Sequence, residues 1–226
     1  MTGLLRRATF LAIGAVLVAG AAVASVPNST NSIQPGNPGG GPQVIKIVGH
    51  GSPPDPAGNV TYTIKDGQAI PQPVQGSVVI LNFAGCGEVR LCSTDQAVGN
   101  TTNCASKTVS GVTNASGVVV FAVAGSGSGA GALSSTRCVT VTADGVPMNS
   151  LGAATADYNG TGGVSPTDGG QFAADLFAFP GVYRARSDFN SDLAVTPTDG
   201  GVWAGILFGL GSLNSCGEPA GHVFCP

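Results

Sequence analysis

The hydrophobic positions of this chain fall into short runs with a period of two. Val60, Tyr62 and Ile64 alternate with Thr61, Thr63 and Lys65, and Val139 and Val141 alternate with Thr140 and Thr142. Further β-type runs lie at 44–48, 78–83, 108–112 and 118–123. Gly, Pro, Asn or Asp punctuates the gaps between them, so residues 43–148 predict six or seven short antiparallel strands in a sandwich. The pattern then changes. Phe172 and Leu176 are four apart, as are Trp203 and Leu207, which places each pair on one face of a short helix. Pro166 and Pro197 suit the opening turns of those helices. The fold class expected is mainly β with a small α module.

The amino terminus follows neither period. Arg6 and Arg7 precede an apolar stretch from Phe10 to Val23, and Ala22-Val23-Ala24 is a small-x-small cleavage pattern. Residues 1–24 therefore read as a secretory signal peptide, cleaved before Ser25. Residues 25–42, SVPNSTNSIQPGNPGGGP, read as a flexible linker. With export, the cysteines Cys86, Cys92, Cys104, Cys138, Cys216 and Cys225 become an even set in an oxidising compartment, and disulfides are the expected use. No CxxC pair is present, which argues against zinc. Pairing within local groups predicts Cys216–Cys225, closing a tail over 211–226, and two bridges of open connectivity among the other four.

Composition and charge narrow the function. The chain has 226 residues, 36 Gly and 15 Pro, and only 9% charged residues, with a formal net charge of −3. The acidity is local. From 151 onward Asp157, Asp168, Asp175, Asp188, Asp192, Asp199 and Glu218 face only Arg184 and Arg186, both expected in a solvated linker. Such a segment argues against nucleic acid, which needs a basic footprint. It suits a cation. His50 and His222 lie beside glycines with no nucleophile and acid arranged around them. A non-enzymatic protein is expected.

The acidic segment repeats with an offset of 31 residues. Asp157-Tyr-Asn-Gly-Thr-Gly-Gly-Val-Ser-Pro-Thr-Asp168 precedes GGQFAADLF, and Asp188-Phe-Asn-Ser-Asp-Leu-Ala-Val-Thr-Pro-Thr-Asp199 precedes GGVWAGILF. Each copy is a twelve-residue loop with side-chain oxygens at positions 1, 3, 5 and 12. Calcium is a hard cation that takes six to eight oxygen ligands, and alternate residues of a tight loop supply them. Position 7 contributes a backbone carbonyl, from Gly163 or Ala194.

The double loop resembles the type I dockerin module of secreted bacterial proteins, here over 153–210. The resemblance implies two Ca2+ ions. Their ligands would be Asp157, Asn159, Thr161, Gly163 and Asp168, and Asp188, Asn190, Asp192, Ala194 and Asp199. It implies an extracellular or cell-surface protein partner, cohesin-like or a second copy of the chain. There are three departures. Leu193 stands where the loop usually carries Gly, whereas Gly162 fits. Thr161 stands where Asp is usual. Pro166-Thr167 and Pro197-Thr198 occupy the positions that dockerins use on cohesin. In the β region, Thr113-Asn-Ala-Ser-Gly-Val-Val-Val-Phe121 resembles the turn-and-strand motif of bacterial immunoglobulin-like surface domains, with Gly117 at a positive φ and Val118, Val120 or Phe121 entering the core.

Together these readings predict a secreted, non-catalytic calcium-binding protein that acts as an interaction or anchoring module. A calcium-stabilised subunit of an extracellular matrix or filament, and a carbohydrate-binding protein, are the alternatives.

Overall fold

The computed structural model describes residues 25–35, 44–48, 59–94, 96–128, 137–161, 163–178, 183–209, 216 and 224–225. The signal peptide over 1–24, Gly162, His50 and His222 lie outside these residues.

Eleven strands precede two helices among the described residues. The strands are β1 (Val44–Val48), β2 (Val60–Thr63), β3 (Val78–Asn82), β4 (Val89–Leu91), β5 (Asn100–Asn103), β6 (Thr108–Val112), β7 (Val118–Phe121), β8 (Val123–Gly127), β9 (Thr140–Ala143), β10 (Val146–Pro147) and β11 (Gly152–Thr155). They form a sheet ordered β10-β9-β3-β6-β5, a second ordered β11-β1-β8-β4, and a β2-β7 pair. One apolar core lies between them, with Tyr62, Phe83, Phe121, Ile64 and Leu81 fully buried. Burial of each such side chain contributes about 1.5–3 kcal/mol. Tyr62 and Phe121 meet edge to face, with centroids 6.4 Å apart.

The mainly β architecture with a small α part agrees with the sequence. The antiparallel sandwich does not hold throughout. β1 pairs in parallel with both β11 and β8, so its sheet is mixed. Strands buried on both faces commonly pair this way. β1 is one of them: Ile45 and Ile47 enter the sandwich core, and Val44 enters a second core beneath the helices. β11 divides likewise, with Ala153 in the first core and Ala154 in the second. The boundary expected between the β domain at 148 and the calcium module at 153 is therefore a shared wall. Its small side chains let both cores approach the same strand.

In the turn before β7, Asn114 Oδ1 accepts the N–H groups of Ser116 and Val118, and Gly117 has φ +72°. A Cβ there would sit 2.5 Å from the Ile64 carbonyl oxygen, so glycine is required twice over. Val119 and Phe121 point inward, whereas Val120 is exposed, contrary to one of the expected assignments. Pleat alternation forces that choice once Phe121 is buried.

Part of the expected linker is fastened, and the tail expected to close on itself is tied elsewhere. Residues 25–35 run beside β2: Ile33 and Thr63 exchange two 2.9 Å backbone hydrogen bonds, and Asn28 N–H donates to the Lys65 carbonyl. The tail is not closed by Cys216–Cys225. The disulfides are Cys86–Cys138, Cys92–Cys216 and Cys104–Cys225, and two of them clamp the tail to the sandwich. Cys225 N–H also donates to the Leu91 carbonyl, which makes the clamp an addition to the β4 edge. These three bridges suit an oxidising environment. Among the described residues, no helix is long and apolar enough to cross a membrane.

Candidate metal centre

The helices α1 (Pro166–Leu176) and α2 (Pro197–Gly209) each begin on the predicted proline, just inside a loop of the repeat. Phe172 and Trp203 are buried on their facing sides, with Leu176 and Leu207 partly buried against the same cluster. Trp203 Nε1 donates to the Ala156 carbonyl, which ties α2 to the chain entering the first loop.

Each loop is closed by its last carboxylate. Asp168 Oδ1 accepts the N–H groups of Tyr158 and Asn159, and Oδ2 accepts the N–H and hydroxyl of Ser165. Asp199 repeats this 31 residues later. Its Oδ1 accepts from Phe189 and Asn190, and its Oδ2 from the N–H and hydroxyl of Thr196. A carboxylate at the start of a helix also interacts favourably with the helix dipole. The repeat in sequence is thus a repeat in hydrogen bonding.

The first residues of the loops behave alike. Asp157 Oδ1 accepts Gly160 N–H, and Asn159 Oδ1 accepts Thr161 N–H. Asp188 takes Asp192 N–H on Oδ1 and Leu193 N–H on Oδ2, while Asn190 and Asp192 each accept the N–H two residues ahead. Asp157, Asp168, Asp188 and Asp199 are buried, whereas Thr161, Asn190, Asp192 and Ala194 face solvent and Asn159 and Gly163 are half-buried. The missing glycine at the sixth position of the second loop has a structural answer. Leu193 itself takes φ +68°, and Ser191 takes φ +61° where the first loop has Gly160 at +67°.

The donor set suits a hard divalent cation: carboxylates, amide oxygens and a hydroxyl on alternate residues, with two carboxylates of each loop removed from water. Burial raises the Asp188 carboxyl above its ordinary value, and Asp199 pushes in the same direction, which is the condition a cation relieves. The convergence is incomplete. Among the described residues, no group of three or more His, Cys, Asp and Glu side chains gathers around one point. The oxygens of Asp168 and Asp199 already accept the loops' own N–H and hydroxyl groups.

Several partners were not legible in the sequence. Tyr183 donates its hydroxyl to Asp188 Oδ2 at 2.6 Å, and burial raises the Tyr183 phenol far above its usual value. Arg186 is not in a solvated linker. It is buried, and its Nε and Nη2 bind the two oxygens of Asp175 at 2.7 Å each. Ser187 Oγ also donates to Asp175 and meets the Tyr158 hydroxyl at 2.7 Å. This network joins α1, the 3₁₀ turn Ala185–Ser187 and the first loop. The sandwich supports that loop directly, because Gly127 N–H donates to the Asp157 carbonyl at 2.6 Å.

Comparison of the chain with protein-family models, with curated proteins and with solved structures gives no match.

Proposed function

We propose that this chain is a secreted, non-catalytic calcium-binding protein that serves as an extracellular interaction or anchoring module. In this reading a dockerin-like pair of loops is carried on an immunoglobulin-like β scaffold. Ca2+ would be held by Asp157, Asn159, Thr161, Gly163 and Asp168 in one loop, and by Asp188, Asn190, Asp192, Ala194 and Asp199 in the other. The ion would supply positive charge among five carboxylates, so its binding energy would become folding energy.

The observation that carries the interaction role is a second product of the duplication. Phe177 and Phe208 occupy equivalent positions at the ends of α1 and α2, and they are 83% and 86% exposed. Large aromatic side chains placed in water by both copies of a repeat suit a partner-facing surface. The buried residues of the same repeat account for its stability, and these two do not.

The reading is tested by retention of the labelled protein on envelope material from its own source, in calcium and in EGTA. Calcium-dependent retention is expected. It should fall at least tenfold in the Phe177→Ser/Phe208→Ser variant, with little change in melting temperature. Retention indifferent to EGTA and to both substitutions contradicts the reading. Assembly of the purified protein on adding calcium supports the matrix-subunit alternative, and retention on insoluble polysaccharide supports the carbohydrate-binding one.

A further inference from the structure

Asp66 is a buried carboxylate with half of its bonding unmet. It is 2% exposed. Its Oδ1 accepts the N–H groups of Gln72 at 2.9 Å and Gln68 at 3.3 Å, while Oδ2 has no hydrogen-bond partner. Among the described residues, no side-chain cation is bonded to it. A buried carboxylate without a counter-charge is costly, and the usual remedy is a cation within contact distance.

A cleft of about 260 Å³ lies beside this carboxylate, lined by residues 25–28 and 66–68. Ser25 and Asp66 therefore share the lining of one cleft. The backbone holds the two sides in register, since Pro27 and Asp66 form an antiparallel bridge and Asn31 Nδ2 donates to the Asp66 carbonyl at 2.7 Å. Ser25 is also the residue that follows the small-x-small pattern Ala22-Val23-Ala24.

We propose that removal of residues 1–24 creates the counter-ion of Asp66: the α-ammonium of Ser25 docks on Asp66 Oδ2. The inference rests on the export reading of the leader. Hydrolysis of the Ala24–Ser25 bond consumes one water, leaves a carboxylate on Ala24 and frees an amine on Ser25, which is protonated near neutral pH. Before cleavage the same nitrogen is a neutral amide with one N–H and no charge. Processing thus adds a charge-assisted bond where the segment 25–35 is already held on β2 by backbone hydrogen bonds, and it tightens that anchorage.

The test uses the protein recovered from an exporting host, with intact mass to define its first residue and reductive methylation at pH 7 to probe the amine. The expected mass is that of a chain beginning at Ser25. The Ser25 amine should be methylated about tenfold more slowly than in Asp66→Asn, which corresponds to about one pKa unit of added stabilisation of the ammonium. Asp66→Asn keeps an acceptor for Gln68 and Gln72 and removes only the charge. A second variant leaves Asp66 untouched and carries one extra Gly before Ser25. Its terminal amine should react freely, and its melting temperature should be lower by a few degrees. A chain that begins at Ser25 but reacts at the same rate with and without Asp66 overturns the pairing and leaves export intact. A chain that begins at another residue overturns the pairing, and one that keeps residues 1–24 overturns the export reading as well.

Discussion

Phe172 and Trp203 stack with their rings parallel, centroids 6.1 Å apart and planes 8° from parallel. They are the same position of the two repeats, so the duplication meets itself at the centre of the helical core. The contact explains a glycine in each copy. A Cβ on Gly169 would lie 2.7 Å from the Trp203 ring, and one on Gly200 would lie 3.1 Å from the Phe172 ring. Each helix makes room for the other's aromatic. The second glycine of each pair, Gly170 or Gly201, faces open space.

Gly169→Ala should accordingly cost about 1–3 kcal/mol by overpacking. Gly170→Ala, one residue on, should gain about 0.5–1 kcal/mol from helix propensity. Urea denaturation of both variants in calcium checks the contrast. Equal effects would mean that the aromatic stack does not depend on close approach to the helices.

Leu193 holds a left-handed conformation that costs a side chain with a Cβ roughly 1–2 kcal/mol. It is 47% exposed, so little burial is lost on shortening it. Leu193→Gly is expected to raise stability by about 1 kcal/mol and to tighten calcium in the second loop. Calorimetric titration and thermal melting of the variant measure the two effects.

The Asp175–Arg186 pair is buried and doubly bonded. Removing one partner strands the other, and Asp175→Asn or Arg186→Met alone should cost about 3–5 kcal/mol. The double variant Asp175→Leu/Arg186→Met should cost clearly less than the two singles together, because the bonded charges leave as a pair and only Arg184, 3.9 Å from Asp175, loses a counter-ion. Additive losses in urea melts would show that the two side chains act separately.

Asp188 gives a prediction that changes sign with metal. Its carboxyl is raised in the folded protein, chiefly by burial. An acid raised on folding keeps its proton in the native state above the unfolded value of 3.8, so its contribution to stability falls as pH climbs through that window. At pH 7 without metal the charge is a burden, and with calcium it is a ligand. Asp188→Asn should therefore raise the melting temperature in EGTA and lower it in calcium. A shift of one sign in both conditions would separate this carboxylate from metal binding.

What the sequence disclosed depended on range. The loops could be read because the Asp-Asn spacing and the 31-residue repeat are local, and Asp168 and Asp199 do close their loops in the same way. Strands such as β2 and β9 could be read from alternation. β4, β5 and β11 could not, because VRL, NTTN and GAAT carry little pattern and are recruited by neighbours far along the chain. Parallel pairing of β1 and β11 joins residues more than a hundred positions apart. The cysteines misled for the same reason. Cys216 and Cys225 are close in sequence, yet their partners Cys92 and Cys104 are set by how the tail returns to the β4 edge. Arg186 resembled a solvated charge until the fold brought Asp175 to it.

The central claim is that the paired loops hold calcium, and calorimetric titration of the oxidised, EGTA-stripped protein with Ca2+, with thermal melts of both forms, tests it most directly. Two ions bound per chain and a higher melting temperature with calcium are predicted. No heat of binding and identical melts in calcium and EGTA would contradict it and leave the Asp and Asn residues as the hydrogen-bonding frame of two metal-free turns.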